Sequence, residues 1–173
     1  MNAGPAAHHL PFFVYGTLRP GQANHAWTLG GRTAAEEPAL IRGALLYNGP
    51  GYPYAVAAPE EPGAGIHGEL IHPREDAYAE VLAVLDRLEG YVPGGGDNLY
   101  ERIAAEALRP DGSTVRAWVY VAAAPLAGRL RTSGEPIPGG DWLRAAAADR
   151  ARTPIGPGAP ATLDGTPQSR TPR

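Results

Sequence analysis

The chain contains no cysteine, which excludes a disulfide framework, a thiolate nucleophile and any cysteine-based zinc site. Lysine is absent too. All 15 basic residues are arginine, so Schiff-base chemistry and lysine-bound cofactors are closed. Serine is limited to Ser113, Ser133 and Ser169, none of them in a G-x-S-x-G elbow. Long apolar runs are missing: Ile41 to Tyr47 is interrupted by Arg42 and Gly43, well short of the roughly 18 residues of a membrane span. The first residues lack the charged and apolar regions of a signal peptide. A net charge of -3 offers no excess of basic residues for a nucleic acid. The expectation is a cytoplasmic protein with no nucleic-acid or membrane partner.

What is present is ordinary in bulk and uneven in distribution. With 173 residues, 43% of them hydrophobic, the chain can bury one sizeable core. Residues 1–10 are weakly patterned and read as a flexible leader. Residues 151–173, rich in Pro, Thr and Arg without periodicity, read as a disordered tail. The folded domain is expected over 11–150. Chemistry in such a chain falls to carboxylates, histidines, tyrosines and backbone amides. The five histidines, at positions 8, 9, 25, 67 and 72, form no metal-ligand motif, so no metal site is expected.

Phe12 to Tyr15 is a β-rich run stopped by Gly16, and Leu40 to Tyr47 reads as a second strand. Gly65 to His72 alternates, with Ile66, Gly68 and Leu70 on one side. Leu99 to Leu108 and Val115 to Ala122 flank Arg109-Pro110-Asp111-Gly112-Ser113, a hairpin turn. In the last strand Val115, Ala117, Val119 and Val121 share a face opposite Trp118 and Tyr120. Asp76 to Leu88 carries apolar residues at helical spacing, with Gly90 placed as its C′ residue. A second helix is expected from Asp141, a suitable N-cap, towards Arg150. These elements predict an α+β fold: a small, mostly antiparallel β-barrel or sheet with flanking helices.

Glu89 stands out on geometry. At about 100° per residue it lies within roughly 40° of Tyr78, Leu82 and Leu85, whereas Glu80 and Arg87 fall on the far side. Burial and the negative end of the helix dipole would both raise its pKa into a range useful for proton transfer. Geometry leaves two alternatives open: a last-turn glutamate curled back into water, or one paired with Arg102. Tyr15-Gly16-Thr17-Leu18 forms a glycine-containing loop whose successive amides could hold a carboxylate, although an ordinary turn reads as well. Gly94-Gly95-Gly96 lacks the setting of a dinucleotide site and reads as a flexible loop. Tyr15 and Tyr100 fit ligand contact and core packing equally. Asp86 reads as a solvated charge on the helix side.

Val14-Tyr15-Gly16-Thr17-Leu18, followed by Gly21, Asn24 and His25, resembles the signature of the γ-glutamylcyclotransferase-like superfamily, particularly its AIG2-like and γ-glutamylamine cyclotransferase branch. The resemblance continues through Gly68-Glu69-Leu70, Leu85-Asp86-Arg87-Leu88-Glu89-Gly90-Tyr91, Tyr100-Glu101-Arg102 and Ala117-Trp118-Val119-Tyr120, in the family's order over roughly residues 12 to 145. It implies a small mixed β-barrel with flanking helices. It also implies that Tyr15, Gly16, Thr17 and Leu18 hold the α-carboxylate and amino end of a γ-glutamyl group, that Glu89 is the catalytic base, and that Tyr100 and Tyr120 line the cavity. The implied reaction cyclises a γ-glutamyl amide to 5-oxoproline and frees an amine, with no cofactor. A non-catalytic binding module, or a hydrolase or amide-transfer enzyme in the same acidic pocket, are the alternatives. The stretch Val92 to Asn98 departs from the family pattern by its length and glycine content, and so bears on pocket shape and substrate choice.

Overall fold

The computed structural model describes residues 9–152. The leader and tail expected from the sequence lie outside that range, apart from His9, Leu10, Ala151 and Arg152. Within it, strands β1 (Phe12–Val14), β5 (Gly65–Pro73), β2 (Thr33–Arg42), β6 (Tyr100–Leu108) and β7 (Thr114–Ala122) close into a barrel in that order. All pairs are antiparallel except β1 with β7, which runs parallel and closes the ring at Phe12 and Trp118. Strands β3 (Ala44–Asn48) and β4 (Pro53–Ala57) form a separate two-stranded sheet. Four α-helices accompany the strands among the described residues: α1 (Ala23–Leu29), α2 (Tyr78–Leu88), α3 (Ala124–Ser133) and α4 (Trp142–Arg152). None is long and apolar enough to cross a membrane.

Period-two alternation splits the strand side chains between two cores. Phe13, Ile66, Leu70, Ala117 and Val119 pack into one cluster. Phe12, Val14, Ile71, Tyr100 and Tyr120 turn the other way and meet Tyr78, Val81 and Leu85 of α2. The helix thus lies on a layer of strand residues. Its buried face follows the i, i+3, i+7 spacing of Tyr78, Val81 and Leu85, all at most 5% exposed. His9 and Leu10 join this layer: the Tyr78 ring stacks on His9, and its hydroxyl donates to the Leu10 carbonyl at 2.7 Å.

Several boundaries differ from the expectation. The run Leu40 to Tyr47 is two strands, because Gly43 adopts φ +71 and turns the chain from β2 into β3. The first half of β2, with its Ala-Ala-Glu-Glu-Pro segment, shows no alternation in sequence, yet it pairs along β5 from Thr33 onward. Residues 47 to 54, to which the sequence assigned no element beyond Tyr47, form a hairpin. Tyr47 pairs with Tyr54, and the turn is confined to 49–52.

Two close contacts hold the end of β1. Gly68 of β5 sits where a Cβ would lie 2.1 Å from the Val14 carbonyl oxygen, so only glycine lets the two strands approach. Just beyond, the buried Arg19 grips Glu69 of β5 through Nε and Nη2 at 2.7 and 2.9 Å. Its Nη1 reaches Asp141 at 2.8 Å. Asp141 in turn accepts the Arg144 N–H at 3.2 Å, as an N-cap should. One guanidinium therefore ties the β1 loop to the barrel and to α4. Arg19→Met is expected to leave two partly buried carboxylates without a cation and to lower stability by about 3 kcal/mol. Urea denaturation measures this, and an unchanged midpoint would contradict it.

Candidate active site

The chain leaves β1 at Val14 and turns tightly, with the Arg19 N–H bonded to the Gly16 carbonyl at 3.1 Å. Gly16 is small for a packing reason: a Cβ there would meet the Pro53 ring at 2.8 Å. Among the described residues neither the Thr17 nor the Leu18 amide donates to another group. The turn thereby presents two successive free N–H groups, the arrangement that accepts a carboxylate. Asn24 of α1 fixes the turn by donating Nδ2 to the Thr17 hydroxyl at 2.9 Å.

Helix α2 delivers the acid. Glu89 is its C-cap, and the next residue, Gly90, adopts φ +63. The Tyr91 N–H bonds to the Asp86 carbonyl at 2.8 Å and the Gly90 N–H to the Arg87 carbonyl at 3.2 Å, a Schellman closure. This ending stops the helix abruptly and leaves Glu89 in the wall facing the β1 turn.

The two segments meet across a cavity of about 430 Å³. Tyr15, Gly16, Thr17, Leu18, Glu89, Tyr100 and Tyr120 all line it. The tyrosines serve both as core and as wall. Tyr15 donates its hydroxyl to the Tyr120 carbonyl at 2.5 Å, and Tyr100 donates to the Pro53 carbonyl at 3.2 Å. Their rings form apolar surface while their hydroxyl protons are spent on backbone. Burial, with the nearby Glu89 charge adding to it, pushes the Tyr15 phenol well above its usual range.

Asp86, read from the sequence as a solvated charge, is instead a structural anchor. It takes the Arg102 Nε at 2.9 Å and the Tyr120 hydroxyl at 2.6 Å. The guanidinium of Arg102 also lies over the Trp118 and Tyr91 rings, at 4.6 and 5.2 Å. Arg102 is thus committed to Asp86 and not to Glu89. Among the described residues the Glu89 carboxyl makes no hydrogen bond or ion pair. Burial alone pushes it up to about 7, and its place at a helix C-terminus acts in the same direction.

Further lining residues include Asn24, noted in the sequence only as part of a motif, and Tyr52 and Pro53 of the hairpin formed by β3 and β4. Asp97 sits on the stretch between α2 and β6. Among the described residues no group of three or more acidic or histidine side chains is placed to hold a metal.

A family model for γ-glutamyl cyclotransferase, AIG2-like, matches residues 12–144. The chain belongs to that family. It is 36% identical over 111 residues to the γ-L-glutamyl-butirosin B γ-glutamyl cyclotransferase of Niallia circulans, covering 63% of this chain and 64% of that protein. The chain therefore spans just under two thirds of that relative's length. Among solved structures it resembles an AIG2-like protein from Mus musculus, with a TM-score of 0.52 and 26% identity over 67% of this chain and 78% of the other. It also shares the fold of YkqA from Bacillus subtilis, with a TM-score of 0.60 and 24% identity over 84% of this chain and 44% of the other.

The unpaired acid carries a stability cost with a definite pH dependence. A carboxyl whose folded pKa is raised holds its proton more tightly in the fold than in the open chain. Its contribution is therefore favourable in the acid range and is lost as pH rises from the ordinary carboxylate range, near 4.5, to about 7. Glu89→Gln is expected to be more stable than the parent at pH 8, by on the order of 2 kcal/mol, with the gain vanishing near pH 4. Denaturation midpoints at both pH values measure this, and an equal midpoint at pH 8 would count against the desolvated acid.

Proposed function

We propose that this protein is a γ-glutamyl cyclotransferase that converts a γ-glutamyl amide to 5-oxoproline and a free amine, with Glu89 as the proton shuttle. The observation that carries the reading is an acid without a partner, poised near pH 7, in one cavity with two free backbone amides. Family membership and the printed activity of the Niallia circulans relative support the class of reaction.

In this mechanism the Thr17 and Leu18 amides receive the substrate α-carboxylate, and Glu89 as carboxylate removes a proton from the α-ammonium. The neutral amine attacks the γ-carbonyl carbon and closes a five-membered ring. Protonated Glu89 passes its proton to the departing nitrogen, and the second proton of the ring nitrogen leaves by the same carboxylate. The amide C–N bond then breaks and 5-oxoproline and the amine separate. The nucleophile belongs to the substrate, so the protein's contribution is orientation, for which roughly 7–11 kcal/mol is available, together with proton transfer. The aromatic walls of Tyr15, Tyr100 and Tyr120 hold the acyl chain folded toward the attacking nitrogen.

Glu89→Gln is expected to lower 5-oxoproline release by about 10²–10⁴-fold with the fold retained. Retained activity in that variant would sink the role of Glu89. Failure of the parent protein to release 5-oxoproline from any γ-glutamyl amide would sink the reaction class. Because the carboxylate form does the work, kcat/KM should rise with pH through an inflection near 7 set by Glu89. A flat profile between pH 5.5 and 8 would contradict this.

A further inference from the structure

The stretch between α2 and β6, expected to be flexible, is a closed turn. Asn98 clamps it: its Nδ2 donates to the Val92 carbonyl at 2.8 Å and to the Gly95 carbonyl at 3.3 Å, while its Oδ1 accepts the Val92 N–H at 3.0 Å. The Gly95 N–H closes the same turn on the Val92 carbonyl at 2.9 Å, and Gly94 supplies φ +72. The clamp puts the residues on either side of Asn98, Asp97 and Leu99, in the wall of the cavity.

Asp97 and Glu89 are the two acids in the wall of that cavity. Asp76 pairs with Arg74, Glu80 with Arg32 and Glu37 with Arg109. Among the described residues Asp97 makes no such pair, although it lines a cavity of substrate size. The charge of that wall is one-sided. The residues lining it include Glu89 and Asp97 but no arginine or histidine, and the chain has no lysine. In the cyclotransferase reading, on which this inference rests, Glu89 and the Thr17 and Leu18 amides account for both charges of the γ-glutamyl half. Asp97 is left over for the part of the substrate that departs.

We propose that Asp97 is a specificity-determining residue that selects γ-glutamyl amides whose leaving half carries a positive charge of its own, such as mono-acylated diamines and polyamines. A leaving half that ends in a carboxylate, as in an amino acid or peptide, meets two acids and no cation in this wall. A cationic one meets the countercharge of the exposed Asp97, and Leu99 nearby, exposed as well, offers apolar surface to an alkyl linker.

Three substrates matched in length test this: γ-glutamyl diaminobutane, γ-glutamyl pentylamine and γ-glutamyl aminopentanoate, which end in an ammonium, a methyl and a carboxylate. At low salt kcat/KM should favour the ammonium over the methyl by about fivefold, the size of a solvent-exposed ion pair, and should be lowest for the carboxylate. Added salt should shrink the preference. Asp97→Asn should bring the ammonium-to-methyl ratio close to one, and Asp97→Glu should restore most of it. A parent ratio near one, or an Asp97→Asn variant that weakens all three substrates equally, overturns the proposal. Turnover without charge preference overturns this inference alone, whereas absence of 5-oxoproline from all three overturns the cyclotransferase reading with it.

Discussion

The commitment of Arg102 to Asp86 governs the rest of the site. A guanidinium held over two aromatic rings and forked onto one carboxylate has no freedom to serve a second. Asp86 thereby joins α2 to β6, and through the Tyr120 hydroxyl to β7. The Tyr120 carbonyl then accepts from Tyr15, which brings the loop after β1 into the same network. Glu89, three residues beyond Asp86, is left with burial and no countercharge. The arginine that stabilises the scaffold is thus withheld from the acid, and the acid is basic enough to move protons near neutrality as a result.

Much of this was legible in the residues. The alternation of β7 assigns Val115, Ala117, Val119 and Val121 to one cluster and Trp118 and Tyr120 to the other. The helical stripe of Tyr78, Leu82 and Leu85 places Glu89 towards the cavity side, and Gly90 is the C′ residue that its position predicted. What escaped has physical reasons. Strand β4 is buried on both faces, with Tyr54 and Val56 in one cluster and Ala55 in the other, so it shows no alternation. The first half of β2 contains Pro38 and two glutamates, yet long-range pairing with β5 overrides its poor propensity. Helix α1 is only seven residues long and has no side-chain cap. The pairing of Asp86 depends on Arg102, distant in sequence, and no local pattern carries it. The clamp by Asn98 is equally invisible, because a glycine run signals freedom unless the side chain that removes it is known.

The cavity holds few free polar groups. The hydroxyls of Tyr15 and Tyr100 are spent on backbone carbonyls and that of Tyr120 on Asp86, and among the described residues the turn after β1 offers two free amide donors. Amides in a turn are preorganised by the chain itself, and the turn is locked from both sides by Asn24 and Arg19. Precision in the site is therefore a property of backbone closure more than of any single side chain.

The parallel pairing of β1 with β7 has a consequence for biogenesis. Phe12 finds its partner at Trp118, and the Tyr15 hydroxyl closes a loop of 105 residues to reach Tyr120. On the ribosome β1 emerges first and must wait, with Phe12, Phe13 and Val14 unburied, until the chain past Tyr120 has been made. The hairpin of β6 and β7 can form by itself from neighbouring residues, but the barrel cannot close before its first strand returns to its last. The cavity accordingly cannot be assembled before β7 is made, and a chain halted short of β7 would have every residue of the β1 loop and no pocket.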